Sequence, residues 1–194
     1  MKRERVYLTL ASLYIVQGLP FGFQATALPI VMRQQGASLT AIGLLSLLSL
    51  PWICKPLWAP WVDRSPFGGP GRRRNWILGS QSLLLLACLL GALVADSGDH
   101  TLLLCAVFVM NLCAATQDIA VDGLAVDLLS GGQLGPANAA QVVGYKVGMM
   151  FGGGLLVWAS AWIGWSGLFI AIAVIIAAVL VHFWTCPLEE KLST

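Results

Sequence analysis

The chain has 194 residues, of which 58% are hydrophobic and only 10% are charged, and its net charge is +2. Soluble domains carry about a quarter charged residues, so this composition excludes an ordinary soluble domain and indicates a protein embedded in lipid. The small net charge gives no indication of nucleic-acid binding. The five cysteines have no paired spacing, so they predict neither a disulfide framework nor a zinc site.

Residues 1–194 are predicted to form a single bundle of six transmembrane helices. A spanning helix takes about 20 mainly apolar residues, and only helices or closed barrels satisfy their backbone in lipid. The apolar runs reach that length without the strict alternation of β-strands, so the predicted fold class is an all-α membrane protein. The predicted spans are 6–31, 38–61, 76–95, 101–126, 137–160 and 165–185.

The distribution of lysine and arginine predicts that both termini are cytoplasmic, because short cytoplasmic loops carry an excess of these residues. With six spans, Arg33 falls on one side of the membrane and eight basic residues fall on the other. The eight are Lys2, Arg3, Arg5, Arg64, Arg72, Arg73, Arg74 and Lys191. The sequence therefore predicts a multi-pass integral membrane protein with an even number of crossings.

Prolines and glycines predict bent and closely packed helices. Pro20 lies inside the first span, and the second contains Pro51, Pro56 and Pro60. An interior proline removes a backbone hydrogen bond and kinks a helix. In the fifth span, glycines recur every four residues in GYKVGMMFGGG, a pattern that lets a neighbouring helix approach closely.

Four charged residues inside the predicted spans are the main functional candidates, because each costs roughly 2.5–3.5 kcal/mol on insertion scales. At 1.5 Å per residue, Lys55, Asp118 and Lys146 come out at one level near the bilayer midplane, and Asp122 follows Asp118 by one turn on the same face. One interpretation is a structural ion pair. The other is a water-filled cavity whose two ammonium groups favour an anionic solute, in which Asp118 could carry a proton.

Neutral polar residues in the same helices are candidates for the lining of such a pathway. These are Gln17, Gln24, Asn111, Gln117, Gln141 and Tyr145. The sequence contains no enzyme motif, metal-ligand cluster or phosphate-binding loop, so neither a catalytic residue nor a metal or cofactor is predicted. An intramembrane aspartyl protease is excluded because the two deep aspartates share one helix.

Four stretches together resemble one family of transporters. They read YIVQGLPFGFQ, SLTAIGLLSLLSLPWICKPLWAPWVDR, TQDIAVDGLAVDLL and LGPANAAQVVGYKVG. In this order they are similar to the AmpG and acetyl-CoA-transporter-like branch of the major facilitator superfamily. The resemblance implies a secondary transporter that alternates between inward-open and outward-open states. It also implies acetyl-CoA or a similar anion as the solute, moved by proton symport.

The resemblance further implies a cytoplasmic latch between the second and third spans. The superfamily signature there reads roughly G-x-x-x-D-R-x-G-R-R, and this chain has Asp63 and Arg64, followed after extra residues by Arg72, Arg73 and Arg74. An alanine replaces the first glycine, and the gap is longer than in the family. In the family this loop pairs with an acid at the inner end of the fourth helix, a place that Asp127 matches. Asp118 is then the better candidate for the solute or the proton, and Asp122, nearer the surface, could serve either role.

The resemblance covers one half of a superfamily member, which normally has twelve spans in two six-helix halves with the substrate between them. The chain is therefore expected to be the N-terminal half, in a truncated form of the transporter. Two alternatives stay open. Two copies could pair as a homodimer, or the chain could be a non-transporting membrane protein that regulates or assembles with a full-length relative.

Overall fold

A computed structural model describes residues 3–34, 36–64, 71–98, 100–129 and 131–185. Within these ranges the protein is helical and has no β-strand. The predictions for Lys2, Lys191 and Cys186 lie outside the described residues. The α-helices of the described part are α1 (Arg3–Gly22), α2 (Leu28–Gln34), α3 (Leu39–Gly43), α4 (Leu50–Arg64), α5 (Arg72–Val94), α6 (His100–Leu128), α7 (Gly131–Met150) and α8 (Leu156–Thr185).

Several of these helices join into longer continuous runs. Among the described residues, five runs are long and apolar enough to cross a bilayer, namely Glu4–Gln34, Leu39–Arg64, Arg72–Val94, His100–Leu128 and Gly131–Thr185. The prediction of an all-helical membrane protein is confirmed. The fifth run has 55 residues and covers both the fifth and the sixth predicted spans.

A change of direction divides that 55-residue run at Gly164, whose φ of 70° and ψ of 178° are not helical. Glycine has no Cβ and adopts this positive φ without steric cost. Beyond it, the Ser166 hydroxyl donates to the Ala92 carbonyl oxygen (2.7 Å), and the Gln81 amide donates to that of Ile176 (3.1 Å). Rising residue numbers in α8 thus meet falling numbers in α5, so this part of α8 runs antiparallel to α5.

The glycine face of α7 packs directly on the backbone of α1, which confirms the close approach predicted from the four-residue spacing. A Cβ added at Gly144, Gly148 or Gly152 would meet a carbonyl oxygen of α1. The three α1 residues that it would meet are, in the same order, Ala11, Ile15 and Leu19. Both sets of numbers rise together, so α1 and α7 run parallel, and the contact between them is called the glycine seam below.

Irregular turns accompany the prolines and the seam. In a regular α-helix, the N–H group of residue 51 would donate to the Leu47 carbonyl oxygen, but Pro51 has no N–H group. The Leu50 N–H group donates to that oxygen instead, and this bond closes a 3₁₀ turn over Leu44–Ser49. Pro20 lies just before a π turn, Phe23–Ala27, and a second π turn separates α7 from α8. The helical runs therefore continue past these prolines.

Helix α7 begins before the predicted fifth span. It starts at Gly131, six residues ahead of the predicted start of that span near residue 137, and it includes Pro136. Ala137 is buried in a core cluster with Leu10, Leu124 and Leu129. This packing orders the glycine-rich turns that propensity alone disfavours.

Gly148→Ala tests the glycine seam. The added methyl group would overlap the Ile15 carbonyl oxygen, so the two backbones have to separate, and we expect a loss of about 1–3 kcal/mol in the free energy of unfolding. Unfolding in detergent, followed by circular dichroism, measures it. Gly154→Ala is the matched control because nothing lies within 4 Å of its Cβ position, and equal stability of the two variants would contradict the seam.

Candidate functional site

A buried ion pair joins α4 to α6. The Lys55 ammonium contacts the Asp118 carboxylate, and the two side chains are 24% and 8% exposed. The same ammonium lies 5.2 Å from the centre of the Trp52 ring, on its own helix. Helical rise per residue predicts that Lys55 and Asp118 lie at the same level in the bundle, and in the structure the two side chains are in direct contact.

Asp122, one turn further along α6, binds two different helices. Its Oδ1 atom accepts a hydrogen bond from the Tyr14 hydroxyl on α1 (2.7 Å) and another from the Gln141 amide on α7 (2.9 Å). Asp122 thus holds both helices of the glycine seam against α6. Tyr14 was missed by the sequence analysis, although a tyrosine one turn before Gln17 in an apolar helix was a usable signal.

An aromatic cluster lies beside the ion pair and includes one predicted residue, Tyr145. The ring of Trp52 is 5.8 Å from that of Tyr145 and 6.4 Å from that of Phe21, measured between centroids. The Trp52 indole also donates to the Asn111 amide oxygen (3.0 Å). Trp52 was not among the predicted residues, although it lies three residues before Lys55 on the same helix.

Two open cavities flank this network. The arginine cavity has a volume of about 530 Å³ and is lined in part by Lys55, Asp63, Arg73, Asp122 and Asp127. The lysine cavity has a volume of about 310 Å³ and is lined by Tyr14, Trp52, Asp118, Gln141, Val142, Tyr145 and Lys146. Each member of the ion pair therefore borders a different cavity.

Lys146 is an exposed cation in the lining of the lysine cavity. It lines the lysine cavity together with Asp118, its partner in the predicted layer, and it makes no ion pair with any described residue. Lys146 and Asp118 thus line one cavity, and Lys55 contacts Asp118 from the side of the other. An ion pair therefore stands next to open space.

Three of the predicted glutamines lie away from both cavities. Gln24 donates to the Ser49 hydroxyl (2.7 Å) and the Leu45 carbonyl (3.3 Å), which ties α1's continuation to the 3₁₀ turn. Gln17 and Gln117 are fully buried, and their amide atoms have no hydrogen-bond partner among the described residues. Neither of these two lines the arginine cavity or the lysine cavity.

Arg73 forms the predicted contact at the end of the bundle. Its guanidinium contacts the Asp63 carboxylate at the end of α4 and donates from Nε to the Asp127 carboxylate at the end of α6 (3.2 Å). It passes so close to Gly123 that a Cβ there would overlap the guanidinium. These three charged residues, Arg73, Asp63 and Asp127, are called the arginine latch below.

The other arginines of the predicted latch region do not reach these carboxylates. Arg64 is exposed and, like Arg72, makes no ion pair with a described residue. Arg74 donates to the Trp184 carbonyl oxygen (3.1 Å) on α8. The sequence did not distinguish these arginines, and of the three on α5 it is Arg73 that reaches the Asp127 carboxylate on α6.

Similarity to known proteins extends over nearly the whole chain. Residues 10–193 match the family described as Major Facilitator Superfamily. The chain belongs to this superfamily. It is 32% identical to the anhydromuropeptide permease of Escherichia coli strain K12 over 171 residues, which are 88% of this chain and 35% of the relative. An uncharacterized membrane protein of Saccharomyces cerevisiae is 32% identical over 162 residues, 72% of this chain and 29% of the relative.

These matches establish the class of the protein. Its similarity to the permease places it in an AmpG-like branch, as the resemblance predicted, and members of the superfamily are membrane transporters, not enzymes. With its apolar helical runs, it is a multi-pass integral membrane protein. The chain spans about a third of the length of the curated relatives it matches.

A double-mutant cycle on Lys55 and Asp118 tests the buried ion pair. Lys55→Met and Asp118→Leu each leave one charge unpaired, so each is expected to lower the free energy of unfolding by up to about 3 kcal/mol. The double variant leaves no unpaired charge and should be more stable than either single variant. Unfolding in detergent measures all four proteins, and additive losses would show that the two residues do not interact.

Arg73→Gln tests the arginine latch. Because Asp63 and Asp127 are nearly half exposed, the loss in unfolding free energy should be only about 1 kcal/mol, and salt should reduce it. Arg64→Gln removes the same charge from a residue without an ion pair in the described part of the chain. Its unfolding temperature should stay unchanged, and a loss equal to that of Arg73→Gln would contradict the latch.

Proposed function

We propose that this chain forms one wall of the pathway of a secondary active transporter that carries an anionic solute together with a proton. The proposal rests on one observation: an exposed ammonium group, Lys146, stands beside the Lys55–Asp118 pair, and all three lie in helical runs long and apolar enough to cross a membrane. Charged groups inside spans are costly, and they mark solute and proton pathways. Transport by alternating access is the function that this arrangement and the family support best.

The proposed topology is a single bundle of six spans with both termini in the cytoplasm. The reversal at Gly164 supports the sixth crossing, because it divides a run of 55 residues that is far longer than one bilayer needs. The directions of the helices support it too, since α1 and α7 run parallel while α8 beyond Gly164 opposes α5. The basic residues around the arginine latch support a cytoplasmic position for that end.

The charges of the lysine cavity favour an anion as the solute. Asp118 is already compensated by Lys55, so the Lys146 ammonium is available to a ligand. Gln141 and Tyr145 add neutral hydrogen-bonding groups to the same lining. A solute with a carboxylate or phosphate would satisfy this set, because ionised acceptors make the stronger hydrogen bonds.

Acetyl-CoA is the proposed solute, on the strength of the resemblance described above. The E. coli relative is named for a different cargo, an anhydromuropeptide, and a compound of that kind is the alternative solute. Both have anionic groups, so the Lys146 argument applies to either. Uptake measurements with both compounds distinguish the two solutes.

The arginine latch is the proposed device for alternating access. It joins the ends of α4, α5 and α6 on one side of the arginine cavity through contacts that are partly exposed and therefore modest in energy. A contact of this kind can open and close at low cost as the bundle changes its orientation. The latch would stabilise one of the two states of the transport cycle.

A second bundle is the proposed partner of the wall. In the helical run Leu39–Arg64, only 11% of the most apolar 18-residue stretch is buried, so most of this run is open to another protein surface or to lipid. A second six-helix half or another copy of the chain would close the two cavities from that side. The same open face favours the alternative function, in which the chain assembles with a full-length relative and regulates it without transporting.

Uptake into proteoliposomes that contain the 194-residue chain tests the transport proposal. We expect a proton gradient to drive uptake of labelled acetyl-CoA, and an uncoupler and Asp118→Asn to abolish it. Asp96→Asn is the control, because Asp96 bonds Ser166 away from both cavities and its replacement should leave uptake unchanged.

Competition and co-purification separate the alternatives. Uptake of anhydromuropeptide without uptake of acetyl-CoA would contradict acetyl-CoA as the solute but support the transporter. Absence of uptake for both would contradict transport by this chain. In that case, co-purification with a full-length relative from membranes would support the regulatory function, and its failure would contradict that function as well.

A further inference from the structure

The two deep aspartates of α6 differ in the charge of their partners. Asp118 faces the ammonium of Lys55, whereas Asp122 accepts hydrogen bonds from a neutral hydroxyl and a neutral amide. Protonation of Asp118 would leave the Lys55 ammonium without its counter-charge inside the bundle, which is strongly unfavourable. Protonation of Asp122 strands no cation and removes one net charge from the membrane interior.

The hydrogen bonds of Asp122 are arranged so that they survive protonation. Tyr14 and Gln141 both donate to Oδ1, and no described residue bonds Oδ2. A neutral carboxyl group has one O–H donor and keeps acceptor capacity on its other oxygen. A proton on Oδ2 therefore leaves both bonds to Oδ1 in place, so the seam helices stay attached to α6 in either state.

The arginine cavity gives this carboxyl group a route to water. Asp122 lines that cavity, which has a volume of about 530 Å³ and is open, whereas Asp118 lines only the lysine cavity on the other side. A proton from water in the arginine cavity thus reaches Asp122 without passing Asp118. The next acidic group along α6 is Asp118, one turn away, and Lys55 neutralises it.

Protonation of Asp122 changes the net charge of four residues, Lys55, Asp118, Asp122 and Lys146, which are called the wall below. The wall has two positive and two negative charges, so it is neutral while both aspartates are ionised. Neutralising Asp122 leaves one positive charge in excess. An anion is then attracted to the lysine cavity, where Lys146 is exposed.

We propose that Asp122 is the proton-binding group of the pathway, and that its protonation turns the wall from neutral to singly positive and thereby permits the anionic solute to bind. This inference rests on the proposed function and assigns its coupling site. The proton passes from hydronium in the arginine cavity to Oδ2 of Asp122, leaves a water molecule behind, and returns to water after the solute departs. Lys55 and Asp118 remain charged throughout.

Other charged and titratable groups face Asp122 without replacing it. The arginine latch lines the same cavity, but its two carboxylates are nearly half exposed and share one guanidinium, so water and salt screen them. On α1 the facing group is Tyr14, and on α7 the groups nearest the lysine cavity are Tyr145 and Lys146. Among the described residues, Asp122 is the lining carboxylate whose bonds come only from neutral donors.

Infrared spectroscopy of the 194-residue chain in lipid tests the proton site without any solute. At about pH 6, exposed aspartates with an ordinary pKa of about 3.9 are ionised, so the carboxylic acid C=O band reports protonated groups in the interior. We expect one such band, which disappears at alkaline pH and is absent in Asp122→Asn. Asp118→Asn and Asp127→Asn should keep it, and Tyr14→Phe should keep it at a shifted frequency because Oδ1 loses a donor.

The outcomes separate this inference from the function on which it rests. A band that persists in Asp122→Asn, or no band in the parent chain, overturns Asp122 as the proton site. A band lost only in Asp122→Asn supports the site even if acetyl-CoA uptake fails, which would contradict the transport proposal alone. Where uptake occurs, Asp122→Asn should lose gradient-driven accumulation but keep solute exchange, since its amide is neutral like the protonated acid; retained accumulation would overturn the coupling role.

Discussion

A charge inside lipid has to find its partner within the protein, and the rest of this bundle is arranged around the carboxylates of α6 that obey this constraint. Asp118 takes its partner from α4, and Asp122 takes hydrogen bonds from α1 and α7. Three neighbouring helices are thereby fixed to α6 at one depth. Apolar packing brings these helices together in general, whereas the polar contacts decide which residues stand opposite each other.

The glycine seam explains how two donors reach a single carboxylate oxygen. Because α1 and α7 touch backbone to backbone, Tyr14 and Gln141 approach Asp122 from helices that lie closer together than bulky side chains would permit. The seam is a packing contact between two backbones. Its contribution to the site is positional, since it sets the spacing of the two donors.

The arginine latch and the buried ion pair are both contacts between opposite charges, but they differ in how far water reaches them. The latch carboxylates are close to water, so their contacts with Arg73 are weak and reversible. The Lys55–Asp118 pair is deeper and more enclosed, so breaking it leaves an uncompensated charge. The latch is therefore the contact that breaks at low cost, and the Lys55–Asp118 pair is the contact that is costly to break.

Much of this arrangement could be predicted from residue types and helical spacing. Apolar length gave the all-helical membrane fold, the four-residue glycine repeat gave a close helix contact, and rise per residue gave the common level of Lys55 and Asp118. The start of α7 was missed because glycine-rich propensity was weighed without the burial of Ala137. Tyr14 and Trp52 were missed because their roles depend on which face of one helix meets another, and that is set by tertiary packing.

The two π turns lie next to each other across the glycine seam. A Cβ at Gly153, in the second turn, would meet the Gly22 carbonyl oxygen and the Thr26 hydroxyl, at the first turn. A π turn contains one more residue than an α-helical turn and is one of the places where helices kink. Because the two π turns lie side by side, a kink there would bend both helices of the seam at the same level and keep Tyr14 and Gln141 together opposite Asp122.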